Sequence, residues 1–236
     1  SLEDNLLRIF GSDKIKNIME RLGVKDGEYI ESKMVTRAVE KAQKKVENMH
    51  YEGRKQIVEY DDVANEQRKI VYKFRNQLLD SEYDISTKVD EVRAEYITHL
   101  FEANGIFNGG VKEDFAVAKL LKMIHEEVNI ELEESSYTAL EYDDLFSNVL
   151  NSVKSIYDEK MNMLEDSVAR DVEREIYLKE LDSAWREHLY AMDNMKTGIR
   201  LRAYNQKDPL VEYKKESYSL FRELILDIKF NTVKTL

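Results

Sequence analysis

The sequence predicts an all-α protein, in which one very long helix packs with an antiparallel two-helix hairpin beside a smaller, more broken helical region. Two observations predict it. A single proline and eight glycines in 236 residues leave little to interrupt a helix. Apolar and small residues then recur in steps of three or four over long stretches, which marks one face of a helix.

Residues 1–32 read as a lead-in segment. Ser12 N-caps a helix carrying Ile15, Ile18, Met19 and Leu22, Gly23 stops it, and Asp26-Gly27 is a turn signal. Leu6, Leu7, Ile9 and Phe10 are apolar for a free terminus and read as the cut edge of a missing neighbour. From Met34 to Leu79 the stripe runs through Val35, Val39, Ala42, Val46, Met49, Gly53, Ile57, Tyr60, Ala64, Val71, Phe74 and Leu78. No proline breaks it, so one helix of about 45 residues, roughly 70 Å long, is expected over 33–80. Gly53 is its weakest point and the expected place for a bend, costing about 1 kcal/mol relative to alanine.

Residues 81–166 lose this regularity at Gly105, Gly109-Gly110 and Ser135-Ser136, and three or four shorter helices are expected. Their apolar sets include Val89, Val92, Tyr96, Leu100 and Phe101, then Phe115, Leu120, Leu121 and Ile124, then Leu145, Val149, Val153 and Ile156. The last region, 167–236, holds two helices. The first carries Val168, Val172, Ile176, Leu181, Trp185, Leu189, Met192 and Met195, and the second opens at Asp208-Pro209, a capping residue followed by the residue favoured at the first helical position. Leu210, Phe221, Leu224, Ile225 and Ile228 continue its stripe. A short loop between two such helices makes an antiparallel hairpin.

Charge is placed unevenly. Residues 81–144 hold 16 acidic and 5 basic side chains, and this block accounts for the whole net charge of −11. It would repel a nucleic acid, and no broad basic stripe with interleaved aromatics offsets it, so no nucleic-acid partner is expected. With no cysteine, thiolate metal sites and cysteine nucleophiles are excluded. No apolar run approaches the ~20 residues that span a bilayer, and SLEDNLLRIF lacks the features of a secretory signal, so a soluble or at most peripheral chain is expected.

The hairpin loop contrasts with the acidic block. Between Asp193 and Asp208 there is no acidic residue, while Lys196, Arg200, Arg202 and Lys207 alternate with Ile199, Leu201 and Tyr204. Such a tip is suited to touching something. An aromatic ring with a polar end, flanked by basic residues with apolar stems, grips many partners without demanding one sequence.

The order of motifs resembles the C-terminal part of SecA, the ATP-driven motor of bacterial preprotein translocation. Leu2-Glu3-Asp4-Asn5-Leu6-Leu7-Arg8-Ile9-Phe10 is similar to the exit from the second motor domain of that family. Ala42-Gln43-Lys44-Lys45-Val46-Glu47 and the run from Arg54 to Arg68 resemble its long scaffold helix. Trp185-Arg186-Glu187-His188-Leu189 and Gly198 to Pro209 resemble its two-helix finger. Lys196, Met195 and Asn205 depart from the usual arginine, leucine and alanine, and residues 81–166 take their assignment as helical wing from position alone.

The resemblance implies that 1–32 is the end of a motor domain, 33–80 the scaffold helix, 81–166 the wing and 167–236 the finger. It implies contact of Tyr204, Ile199, Arg200, Leu201, Arg202 and Lys207 with preprotein, with the SecYEG channel or with anionic lipid. Tyr60, Asp61, Asp62, Asn65 and Arg68 would meet the motor domains. ATP and Mg belong to those domains; no G-x-x-x-x-G-K-[ST] occurs in the 236 residues, so no cofactor, no metal and no catalysis of its own are expected. The implied location is cytoplasmic, peripheral to the plasma membrane. The rival readings are a self-contained helical-bundle adaptor and, from Glu47-x-x-His50, a di-iron bundle, which needs a second such motif and two more glutamates. The repeated Glu-Tyr-Asp-Asp at 59–62 and 141–144 reads as structure, because adjacent carboxylates on a helix point apart. Trp185 and His188 share a face and read as a core pair.

Overall fold

A computed structural model describes residues 33–202 and 208–236, apart from the side chains of Met34, Val35, Ala38 and residues 200–202. The helix capped by Ser12 and the apolar group at Leu6, Leu7, Ile9 and Phe10 lie outside the described residues. Those described form α1 (Lys33–Leu79), α2 (Ile85–Ala103), α3 (Val117–Val128), α4 (Tyr142–Met161), α5 (Asp166–Arg202) and α6 (Pro209–Thr235), with 3-10 turns at Lys112–Asp114 and Glu134–Ser136. No strand occurs among them. The chain is all-α, as its periodicity predicts.

Contacts divide the chain into two units, Ser1–Asp62 and Val63–Leu236. In the first, α1 is helical straight through Gly53. Ala42 and Tyr60 are buried, but Met49, Gly53 and Ile57, which the period assigns to the same stripe, are exposed. Lys44 and Glu40 pair at 3.0 Å one turn apart, the usual support of an exposed helix face.

In the second unit one apolar core gathers residues from all six helices, including Leu78, Ile85, Leu120, Leu145, Leu181 and Ile228. Burying each such side chain contributes about 1.5–3 kcal/mol. Rings meet edge-on within it, Phe74 with Tyr177 at 5.3 Å and Phe101 with Phe146 at 5.3 Å, the geometry that ring quadrupoles favour. Local chemistry sets the helix ends. Asp84 caps α2, its Oδ1 accepting from Thr87 N at 3.1 Å, and Asn129 closes α3 in the left-handed region at φ 55°. All acidic residues of the 81–144 block are exposed except Asp90 and Glu127, which are half-buried.

α5 and α6 run antiparallel. Leu181 shares a cavity wall with Ile228, and two turns further along α5 His188 meets the Phe221 ring at 5.9 Å, two turns back along α6. The buried stripe of α5 is Glu173, Tyr177, Leu181, Trp185, His188, Met192 and Ile199. It is displaced from the expected stripe at the start of the helix, where Val168 is exposed. A glutamate and a tyrosine hold core positions that an apolar count passes over.

Candidate functional site

The hairpin of α5 and α6 is anchored by a buried polar junction. Trp185 and His188, three residues apart, lie on one face of α5 with their rings stacked at 5.5 Å and 25°. Gln67 of α1 reaches them from below. Its Nε2 donates to the Ser217 carbonyl of α6 at 3.2 Å, so its Oε1 is left to accept from His188 Nε2 at 2.8 Å. Ser217 is fully buried and turns its hydroxyl back to the Tyr213 carbonyl of its own helix. One amide side chain thus joins three helices. A buried amide without partners is costly, and here both ends are satisfied. Burial lowers the His188 pKa below the ordinary histidine value, so the ring is neutral at pH 7.

A second tie lies two turns further along α1. Arg75 Nε donates to Asp182 Oδ1 at 2.9 Å and Nη2 to Oδ2 at 3.0 Å, a two-point contact between α1 and α5. The same carboxylate, through these bonds and its charge, raises the Arg75 pKa further.

The tip of the hairpin is framed by its two helix ends. α5 continues to Arg202, and Asp208 starts α6 with its Oδ1 accepting from Leu210 N at 2.9 Å and Pro209 in the first turn. Ile199 is buried at 3% exposure. Tyr204 and Lys207 lie outside the described residues, as do the side chains of Arg200, Leu201 and Arg202. Of the residues expected at a motor interface, Tyr60 is buried in the first unit, where Asp61 and Asp62 are exposed. In the second unit Asn65 and Arg68 are exposed and line a shallow surface groove with Lys69, Tyr72 and Lys73.

Toward the other end of α5, Glu173 is 4% exposed and accepts from Ser86 of α2 and Tyr157 of α4, each at 2.6 Å. The Arg93 guanidinium lies over the Tyr157 ring at 4.0 Å and pairs with Asp90, which also takes Lys154 at 2.5 Å. From α6, Lys229 reaches Glu95 at 2.5 Å and Lys234 reaches Glu127 at 2.7 Å. Burial pushes the Glu127 pKa up, but the donors Lys234 and Tyr96 outweigh it and hold the carboxyl below its usual range. Polar contacts therefore fasten the acidic region to both helices of the hairpin.

A family model described as the SecA wing and scaffold domain matches residues 29–236. The chain belongs to the SecA wing and scaffold family. Over all 236 residues it is 75% identical to the protein translocase subunit SecA of Sulfurimonas denitrificans, covering 28% of that protein. It is 57% identical to that of Campylobacter curvus and 59% identical to that of Nitratiruptor sp., again over its full length and 27% of each. The chain spans little more than a quarter of the length of the curated relatives it matches.

Within this SecA segment, Ser217 and Glu173 lie in none of the motifs that carry the resemblance, and Gln67, though inside the run from Arg54 to Arg68, is not singled out by it. A helical-period reading that admits polar residues would have found Gln67, since it fills the gap in the stripe between Ala64 and Val71. The Glu-Tyr-Asp-Asp at 141–144 starts α4: Glu141 has extended backbone, and Asp143 and Asp144 lie in the first turn, where negative charge suits the helix dipole. Glu47 and His50 are both exposed, and no group of three potential metal-ligating carboxylates or imidazoles occurs among the described residues. No described helix is long and apolar enough to cross a membrane.

Proposed function

We propose that this chain is the scaffold-and-wing part of a protein-translocating ATPase and couples ATP-driven domain motion to the movement of unfolded preprotein through the SecYEG channel. The single observation that supports this reading is the buried Gln67–His188–Ser217 junction, because it makes α1 and both hairpin helices move together. Closely packed helices pass on a displacement as rigid bodies instead of absorbing it. In this reading 1–32 ends a motor domain, 33–80 is the scaffold helix, 81–166 the wing and 167–236 the finger. ATP and Mg are bound by motor domains outside the chain, and Asp61, Asp62, Asn65 and Arg68 meet those domains, with Tyr60 packed beneath.

Tyr204 is the polypeptide contact. Arg200, Leu201, Arg202 and Lys207 flank it and face the channel or anionic headgroups, where each basic residue near the surface contributes about 1 kcal/mol. Ile199, being buried, supports the tip from inside. The protein then works at the cytoplasmic face of the plasma membrane, peripherally attached.

Crosslinking from position 204 of the full-length motor to a stalled preprotein tests the contact directly. Tyr204→Ala lowers transport far more than basal ATP hydrolysis, and Tyr204→Phe is milder. Equal transport by wild type and both variants, with no crosslink, would remove the fingertip role.

A further inference from the structure

We infer that Asn108 is a self-modification site, at which water converts the side-chain amide to aspartate and isoaspartate through a succinimide closed by the backbone nitrogen of Gly109. The chain holds two asparagine-glycine pairs close together, Asn104-Gly105 and Asn108-Gly109, in the connection that follows α2. A glycine after the asparagine favours this chemistry, because with no Cβ on the next residue the side-chain amide can fold onto the backbone nitrogen. Asparagine is a thermolabile residue. By sequence the two pairs are equal, and the structure separates them.

The glycines do not distinguish the pairs. Gly105 and Gly109 have φ of 73° and 82°, and a Cβ added at either would meet nothing within 4 Å. The asparagines do. Asn104 ends α2 at 9% exposure, and its Nδ2 donates to the Leu100 carbonyl at 2.8 Å and lies 3.5 Å from Met123 Sδ. The nitrogen that would attack it, Gly105 N, donates to the Glu102 carbonyl at 3.0 Å. Both reacting groups are tied down, so reaction at Asn104 waits on local opening. Asn108 is exposed, and its side chain has no hydrogen-bond partner among the described residues. With Gly109 it forms the centre of a tight turn that Gly110 N closes by donating to the Phe107 carbonyl at 3.0 Å. Positive φ falls on Gly109 and not on Asn108, the type II pattern. Gly109 N itself has no acceptor among the described residues.

The bonds balance with water alone. Hydroxide takes the proton from Gly109 N, the nitrogen bonds to Asn108 Cγ, and the Cγ–Nδ2 bond breaks as Nδ2 leaves with a proton from water as ammonia. Water then cleaves the ring at Cγ to give aspartate, or at the backbone carbonyl carbon to give isoaspartate. Either product adds a negative charge to the acidic 81–144 block. Isoaspartate also lengthens the backbone by one carbon beside Gly110, where even a Cβ would sit 2.9 Å from the Phe115 ring.

The test ages the full chain at neutral pH in buffer and, in parallel, in concentrated urea, then digests it and locates the amide-to-acid mass gain at 104 or 108 by fragment mass spectra. In buffer position 108 is expected to convert faster than 104 by about tenfold or more, since giving up buried hydrogen bonds raises the barrier at 104. In urea, where neither asparagine is held, the two rates converge. An isoaspartate-specific methyltransferase labels the aged wild type but not aged Asn108→Gln, whose longer side chain must close a six-membered ring and whose circular dichroism spectrum is unchanged. The inference is overturned if position 108 keeps its amide in buffer, if 104 converts there as fast as 108, or if Asn108→Gln is labelled as strongly as wild type. It is overturned equally if the difference persists in urea, which would place its origin in the flanking sequence.

Discussion

His188 of α5 and Gln67 of α1 share a hydrogen bond of 2.8 Å across 121 positions of sequence, and the same glutamine bonds the backbone of α6. Removing the amide leaves a buried imidazole N–H without its partner and takes the second hydrogen bond from the buried Ser217 carbonyl, which keeps only its helical one. Gln67→Leu is therefore expected to destabilise the protein by about 1–3 kcal/mol despite adding apolar surface. Urea unfolding of the two proteins measures this. A midpoint unchanged within error would mean that the junction is not holding the hairpin.

The neutral state of His188 makes stability depend on pH. Burial lowers its folded-state pKa, while the unfolded value is near 6.5. Above about 6.5 both states are unprotonated and the full contribution is present. As pH falls below that value the unfolded chain takes up a proton first, so stability declines until the folded-state pKa is passed. Urea midpoints at pH 7.5 and 5.5 should differ in wild type and differ less in His188→Gln. The three remaining histidines, His50, His99 and His125, are exposed and common to both proteins. Equal pH slopes would show that His188 titrates alike in the folded and unfolded states.

Much of this fold was legible because the period of the apolar residues is the helix itself. α1 ends at Leu79, and α6 starts behind the Asp208-Pro209 cap where the sequence places it. Polar members of the core were less legible. Glu173, Ser217 and Gln67 are buried because distant partners satisfy them, and a partner 87 or 150 residues away leaves no local trace. Trp185 with His188 was readable as a face, since helical spacing fixes it, and Gln67 falls in the stripe of α1 between Ala64 and Val71, but nothing near it in sequence tells that its partners are His188 and Ser217. Exposure at Met49 and Ile57 shows the converse limit: a stripe records which residues can be buried, not what covers them in the unit at hand.

Glu173 is a carboxylate held by two hydroxyls at 2.6 Å, the short range expected for O–H donors to a charged acceptor. Tyr157→Phe strips one donor from a charge that stays buried, so a loss of about 1–3 kcal/mol is expected. Combined with Glu173→Gln, which removes the charge, the second change should cost less than it does alone. A double-mutant cycle in urea reads this coupling, expected at roughly 0.5–3 kcal/mol for residues in one network. Strict additivity would mean the two side chains act independently.

Two glycines should respond oppositely to alanine. At Gly53 an added Cβ meets nothing within 4 Å in a continuous helix, so Gly53→Ala should stabilise by up to about 1 kcal/mol. At Gly110 it would sit 2.9 Å from the Phe115 ring and 3.1 Å from the Phe107 carbonyl, so Gly110→Ala should destabilise. Thermal unfolding of both variants checks the pair. A destabilising Gly53→Ala would show that a bend at this residue contributes to folding.

The Arg75–Asp182 contact has favourable two-point geometry, yet its side chains are 38% and 43% exposed. Water competes for both charges at that exposure, and holding two flexible side chains in register costs entropy. The coupling energy from Arg75→Ala, Asp182→Ala and the double variant should therefore stay at or below about 1 kcal/mol and shrink with added salt. Arg75→Lys keeps the charge but loses the planar fork, so it should recover only part of the coupling. This places the main restraint between α1 and α5 in the buried junction, not in the visible ion pair. A coupling well above that of Gln67 with His188, measured in the same way, would reverse the order and make Arg75 the principal anchor of the hairpin.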